Sequence, residues 1–151
     1  MAESDNNTPS ATPITDVFTD ALDFYPINGG TEYGVMIGRA VFMETIVIPA
    51  SYNGKPVTTI LPKAFENTYG RENDVLTSVI IPSSVTRICD DAFANCPNLQ
   101  HVDIPSSVTD IGYLAFYGML SVSIDRAKDD VPEGQVWGEE TFGCYEIIWK
   151  K

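Results

Sequence analysis

Two stretches of this chain nearly repeat each other at an interval of 23 residues. Leu76–Ile88 reads LTSVIIPSSVTRI, and Leu99–Ile111 reads LQHVDIPSSVTDI. Each copy continues to an Ala-Phe pair, at Ala92-Phe93 and then at Ala115-Phe116. A short fixed period of this kind predicts a stacked solenoid rather than a globule closed around a single core.

An earlier copy carries two insertions. Ile46–Pro49 corresponds to Val79–Pro82, but the interval from Ile48 to Ile81 is 33 residues rather than 23. The surplus falls in two inserts, at residues 51–55 and at about residues 68–72. Insertions in stacked repeats fall in loops, frequently near the binding face. Each insert contains a tyrosine, and these are candidate contact residues: Tyr52 and Tyr69.

The regions around the repeats predict a four-part organisation. Residues 1–20 are rich in Ser, Thr, Asn, Asp and Pro and predict a flexible arm, or a docking strap that orders against a partner. Residues 21–43 contain two strand-like segments around Asn28–Gly30, which predicts a hairpin that caps the stack. Residues 44–124 form the repeats, and the aromatic-rich residues 125–151 form the C-terminal cap.

The charge of the chain limits its partners. There are 9 Lys and Arg residues against 21 Asp and Glu, a net charge of −12. This balance disfavours nucleic acid and anionic membrane surfaces, which require a basic face. It indicates either an ordinary solvated acidic surface or a basic partner.

Neither a membrane span nor an export signal is evident. No run approaches the roughly 20 apolar residues of a membrane span, so membrane insertion is not expected. Residues 1–10 lack the basic start and apolar run of a signal peptide. The chain as written is therefore cytoplasmic, a particle subunit assembled inside the cell, or an exported protein without its signal.

The reactive side chains do not form a familiar catalytic or metal-binding arrangement. Cys89, Cys96 and Cys144 contain no CxxC spacing and are expected to be structural thiols rather than a disulfide framework or a zinc site. His101 and Asp103 lie two residues apart, but no Ser or Cys nucleophile is paired with them, so they are not a catalytic triad. We therefore expect no catalytic residue, no cofactor and no bound metal.

The repeat has the pattern Leu-x-x-Val-x-Ile-Pro-x-x-Val-x-x-Ile-x-x-x-Ala-Phe-x-x-Cys, seen most fully around Ala92-Phe93-x-x-Cys96. It resembles the BspA-type leucine-rich repeat family over about residues 44–124. The loop Tyr52–Val57 and the terminal Ile148-Trp149 also resemble the flanks of that family.

The resemblance implies a short, curved, right-handed leucine-rich-repeat solenoid, capped at both ends. Its structure would be mostly β with short turns or helical segments, with a sheet lining one side. Family members resemble bacterial and phage-associated surface proteins that bind host proteins, matrix or other cells. The resemblance therefore favours an extracellular, cell-surface or virion location.

The strand segments supply the main candidate contact residues, because alternate positions of a strand face solvent on one side of the sheet. On this side lie Thr45, Val47, Ser78, Ile80, His101 and Asp103. Val47 and Ile80 either reflect the preference of strands for β-branched residues or form an apolar contact patch. Tyr113 is a further candidate, because the other repeats carry Asp90 or Pro62 there.

Our leading hypothesis is a non-catalytic module for adhesion or recognition that binds a protein or a surface glycan through its sheet face and insert loops. The alternative is a structural or display subunit. In that case residues 1–20 anchor the repeats to a larger assembly, such as a phage particle or a cell-surface structure. The sequence leaves the ligand and the oligomeric state open.

Overall fold

The structure is a computed structural model and describes residues 20–39, 42–67 and 75–151. The second insert with Tyr69, and the predicted arm apart from Asp20, lie outside these residues. The strands are β1 (Asp23–Ile27), β2 (Glu32–Met36), β3 (Thr45–Val47), β4 (Ser51–Tyr52), β5 (Lys55–Ile60), β6 (Ser78–Ile80), β7 (Arg87–Ile88), β8 (His101–Ile104), β9 (Asp110–Ile111), β10 (Ser121–Ile124) and β11 (Glu146–Trp149). A helix of four residues, α1, spans Glu139–Phe142.

One group of strands comes from the start of each repeat. β3 pairs in parallel with β6, and β10 lies between β8 and β11, parallel to both. The register places Thr45 opposite Ser78, and Val47 opposite Ile80. Equivalent residues of successive repeats therefore lie side by side across each of these ladders.

A second group of strands comes from the middle of each repeat, in addition to the sheet along one side that the resemblance implies. β5, β7 and β9 are parallel neighbours, with Ile60 opposite Ile88 and Ile88 opposite Ile111. β7 and β9 are two residues long, too short to show a hydrophobic period in the sequence.

The N-terminal part extends this second sheet. β1 and β2 form an antiparallel hairpin around a 3-10 turn at Asn28–Gly30, and β2 then pairs in parallel with β5. The first insert forms another hairpin between β4 and β5. Its turn residues Asn53 and Gly54 have φ of 49° and 75°, the left-handed pair that a tight hairpin with twisted strands requires.

The interior is filled by matching apolar residues from successive repeats. In every strand of the first group, the second residue is apolar and points inward. These residues are all buried: Ile46, Val79, Val102, Val122 and Ile147. Burying a large aliphatic side chain stabilises a fold by about 1.5–3 kcal/mol. Successive repeats therefore supply matching residues to a shared apolar interior.

A column of phenylalanine rings runs through the interior. Phe65, Phe93 and Phe116 are fully buried, and their rings are stacked with centroids 5.1 and 5.6 Å apart. Phe142 of α1 continues the column, with its ring tilted by 66° to that of Phe116. Backbone hydrogen bonds hold the same segments. Phe65 N donates to Ala92 O at 2.7 Å, Phe93 N to Ala115 O at 2.8 Å, and Phe116 N to Phe142 O at 3.0 Å.

The aromatic residues near the C-terminus pack against one another and, through Phe142, against the ring of Phe116. Trp137 lies 6.0 Å from Phe142 and 6.4 Å from Trp149, measured between ring centroids. The Arg126 guanidinium lies 5.7 Å from the centre of the Trp137 ring, in the position of a cation–π contact.

The three cysteines are free thiols that form no disulfide. Cys96 is buried, and its thiol donates a hydrogen bond to the Phe65 carbonyl at 3.0 Å. Burial raises the pKa of this thiol to about 12, so it stays protonated and unreactive at neutral pH. Burial also raises the pKa of Cys89 and of Cys144.

Removing one ring from the column should destabilise the whole stack. We expect Phe93→Ala to lower the free energy of unfolding by about 3–5 kcal/mol, because the ring is fully buried between two others. The measurement is chemical denaturation followed by circular dichroism. The matched control is Phe42→Ala, the same substitution at a ring that is 72% exposed. Similar losses in both variants would contradict the assignment of Phe93 to the column.

Candidate binding face

Alternate residues of β3, β6, β8 and β10 point away from the interior and form one face, which we call the strand face. Its apolar part consists of Val47 and Ile80, which oppose each other across the β3–β6 ladder. Ile80 is 53% exposed and Val47 is half-buried. Thr45 and Ser78 lie beside them as a second opposed pair. Among the described residues, the exposed side chain of Ile80 offers apolar area on the outer side of this ladder.

The polar part of the strand face is a hydrogen-bonded cluster around His101. Its Nδ1 lies 2.9 Å from Ser121 Oγ, and its Nε2 lies 3.1 Å from Ser123 Oγ. The same Nε2 lies 3.4 Å from Asp103 Oδ1. The Lys150 ammonium, which follows β11, donates to that carboxylate at 2.7 Å. The cluster therefore ties β8, β10 and the end of β11 together across the surface.

Ser121 and Lys150 were not identified as members of this site by the sequence, whereas Ser123 was expected in one solvent-facing row with Asp103. The register explains both serines, because Ser121 lies opposite His101 and Ser123 lies opposite Asp103 in the β8–β10 ladder. Ser123 was expected to face solvent but is only 3% exposed, because the His101 imidazole lies against it. Lys150 is 47 residues from Asp103 in sequence, so no local pattern connects them.

The serine, histidine and aspartate do not reproduce the geometry of a catalytic triad. In a triad the imidazole uses one nitrogen for the serine and the other for a buried carboxylate. Here Nε2 of His101 faces both Ser123 and Asp103, and the carboxylate is exposed and paired with Lys150. The arrangement is suited to holding a surface together and to accepting polar contacts.

The ion pair sets the ionisation of Asp103. The hydrogen bond from Lys150 is the largest cause that lowers the pKa of this carboxyl below its ordinary value, and His101 adds to the effect. Asp103 is therefore a carboxylate throughout the neutral range and presents a fixed negative charge on the strand face.

Two of the predicted contact tyrosines, Tyr52 and Tyr113, lie outside the strand face. Tyr52 is half-buried, stacked on Phe24 with ring centroids 4.1 Å apart and edge-to-face with Tyr33 at 5.1 Å. This packing occupies one face of its ring. Tyr113 is 64% exposed in the turn after β9, and its backbone N donates to Asp90 Oδ1 at 2.8 Å. Tyr69 lies in the undescribed insert.

Two other kinds of site are absent from residues 20–39, 42–67 and 75–151. In those ranges no group of three or more His, Cys, Asp or Glu side chains is arranged to hold a metal ion. Within the same ranges, no helix has the length and apolar character to cross a membrane.

Comparison with known proteins gives one family and one solved structure. The family model described as "BspA type Leucine rich repeat region" matches residues 35–123 and 58–147, with six copies. The crystal structure of a T. pallidum leucine-rich repeat protein is similar, with 17% sequence identity and a TM-score of 0.45. That similarity covers 74% of this chain and 70% of the other. No curated protein matches this chain.

The ion pair on the strand face makes a prediction about pH. Lys150→Met should raise the pKa of Asp103 towards about 3.9, the value of an unperturbed aspartate. In the native protein the lowered pKa contributes stability that is present above about pH 3.9 and is lost as the pH falls through the folded-state pKa. Because Asp103 is largely exposed, this contribution should stay below about 1 kcal/mol.

The measurement is an NMR titration of the Asp103 carboxyl carbon in the wild type and in the variant. Lys128→Met is the control, since it removes a lysine for which the described residues show no ion pair. An Asp103 pKa that is the same in wild type and Lys150→Met would mean that the pair does not persist in solution.

Proposed function

Because the chain belongs to the BspA-type leucine-rich repeat family, we propose that it is a non-catalytic module that binds another protein through the strand face. One observation carries the proposal: Ile80, 53% exposed, lies in register with Val47 on the same side as the His101 cluster. Leucine-rich repeats generally mediate protein interactions, and their repeated strands supply an extended surface for them.

The composition of the strand face supports a protein partner over a glycan. Protein interfaces combine an apolar centre with a polar rim. Val47 and Ile80 supply the apolar part, and His101, Asp103 and Lys150 supply charges and hydrogen-bonding groups nearby. A glycan partner remains an outcome that the experiment below distinguishes.

We extend the proposal to the architecture. Parallel strands from successive repeats support a short solenoid, and connections between parallel strands of one sheet are right-handed in about 98% of cases. We therefore propose a right-handed solenoid built from residues 44–124. The hairpin within residues 21–43 and the aromatic cluster within residues 125–151 would act as caps, since each packs against an end of the apolar interior.

A role in adhesion at a cell surface or on a virion follows as part of the proposal. It rests on the family and on the resemblance described above. The strongly acidic composition fits such a role, since it keeps an exposed binding protein soluble and away from nucleic acid.

The test compares capture of partners by matched variants. Wild-type chain, a Val47→Lys/Ile80→Lys double variant and a Val136→Lys control are immobilised, and bound proteins are identified by mass spectrometry. A glycan array is probed in parallel. We expect the wild type and the control to retain a defined protein partner. In the double variant the affinity for that partner should fall at least about tenfold, because the contact would bury two lysine charges.

Each alternative gives a different result. Retention of the partner by the double variant would contradict a role for the strand face. Binding to the glycan array that is lost in the double variant would identify a glycan as the ligand. A further variant lacks residues 1–20. Loss of the partner in that variant alone would support the anchored display subunit. The control is matched because Val136 is 76% exposed and lies outside the strand face.

A further inference from the structure

A second surface lies away from the strand face, at the turns of the last repeat. Two exposed tyrosines, Tyr117 and Tyr145, line a cleft of about 450 Å³. Tyr117 is 49% exposed and Tyr145 is 78% exposed. The remaining lining includes Leu114 and two neighbouring carboxylates, Glu139 and Glu140. The cleft therefore combines aromatic rings with negative charge.

The two walls of this cleft are held by backbone hydrogen bonds. Leu114 N donates to Thr141 O at 2.7 Å, Gly118 N to Gly143 O at 3.0 Å, and Tyr145 N to Met119 O at 3.1 Å. These bonds continue the pattern that links earlier repeats through the phenylalanine segments. The rings and carboxylates are thus mounted on rigid backbone, which reduces the entropy lost when a ligand binds.

Gly143 brings the walls together. It has φ of 75°, and a Cβ atom there would lie 2.9 Å from Tyr117 Cα and 3.0 Å from Leu114 Cδ2. Any larger residue would push the Tyr117 wall outward. The narrow base of the cleft therefore depends on this glycine.

The apolar lining is particular to this repeat. Alignment on the buried phenylalanines places Leu114 where the earlier repeats carry Lys63 and Asp91, and Tyr117 where the preceding repeat carries the buried Ala94. Lys63 and Asp91 lie 3.8 Å apart as an ion pair between their repeats. The last repeat thus replaces a charged, self-compensated surface with an apolar and aromatic one.

The charge in the cleft is not compensated. Among residues 20–39, 42–67 and 75–151, neither Glu139 nor Glu140 takes part in an ion pair, whereas five Lys and Arg residues in those ranges pair with other carboxylates. Every charged residue that lines the cleft is acidic. A ligand that brings positive charge would therefore be attracted by both the local carboxylates and the net charge of −12.

We propose that this cleft binds an arginine side chain of a basic segment in a partner protein. A guanidinium group is planar and stacks on aromatic rings, so Tyr117 and Tyr145 can hold its faces while Glu139 or Glu140 accepts its N–H donors. The long aliphatic stem of arginine fits against Leu114. The site is separate from the strand face and does not depend on the function proposed for that face.

The test uses a synthetic peptide of alternating arginine and glycine. Its control is the same peptide with citrulline, a neutral isostere, in place of each arginine. Binding to the full chain is followed by amide shifts in two-dimensional NMR. We expect the arginine peptide to shift residues 114–118 and 139–145, to bind more weakly at high salt, and to bind at least about fivefold more tightly than the citrulline peptide.

Variants then separate a specific site from general acidity. Tyr117→Ala should weaken binding about fivefold to tenfold, and Tyr117→Phe should retain most of it, because the ring face makes the contact. Alanine is the residue at the equivalent position of the preceding repeat, and an unchanged melting temperature would confirm that the variant folds. Glu139→Gln/Glu140→Gln should weaken binding to a similar degree.

Three results would overturn the proposal. One is equal binding of the citrulline peptide. Another is a loss of affinity in Glu133→Gln as large as the loss in Glu139→Gln/Glu140→Gln, because Glu133 is an exposed carboxylate that does not line the cleft. The third is a set of shifts spread evenly over the acidic surface. The Val47→Lys/Ile80→Lys variant should bind the arginine peptide as the wild type does, so the two surfaces can fail independently.

Discussion

The column of phenylalanine rings is the contact on which the rest of this structure depends. Phe65, Phe93 and Phe116 stack at 5.1 and 5.6 Å, close to the 4.7–4.9 Å that separates neighbouring strands in a sheet. Interior stacking and strand pairing therefore advance by nearly the same distance from repeat to repeat. The two distances agree, and outward residues of successive repeats such as Val47 and Ile80 lie in register.

The strand face and the cleft use different chemistry because their charges are arranged differently. On the strand face, the Asp103 carboxylate is matched by Lys150, so the polar part presents hydrogen bonds with little net charge. At the cleft, Glu139 and Glu140 lie beside exposed tyrosines without a cation among the lining residues. The first arrangement suits a broad, shape-dependent contact, and the second suits recognition of a single charged group.

The sequence predicted positions that recur at a fixed spacing, but it missed the two-residue strands β7 and β9 and contacts between distant residues. Aligned copies predicted that Thr45 lies beside Ser78, and that Phe93 is buried, because the same residue types recur at the same positions. The fourth ring, Phe142, was assigned from the sequence to the aromatic-rich cap and not to the column, although its ring lies 5.7 Å from that of Phe116. The contact between Asp103 and Lys150 joins distant residues, and only the folded chain brings them together.

The hairpin built from the first insert shows how the fold can change in size. Residues 51–55 project as β4 and the start of β5, while Val57 and Ile60 keep their buried places in the stack. A middle repeat is joined to its neighbours through rings and strands, because Phe93 stacks between Phe65 and Phe116 and β7 pairs with β5 and β9. In-frame duplication of one 23-residue unit at gene level would therefore lengthen the protein and enlarge its strand face while leaving both ends intact.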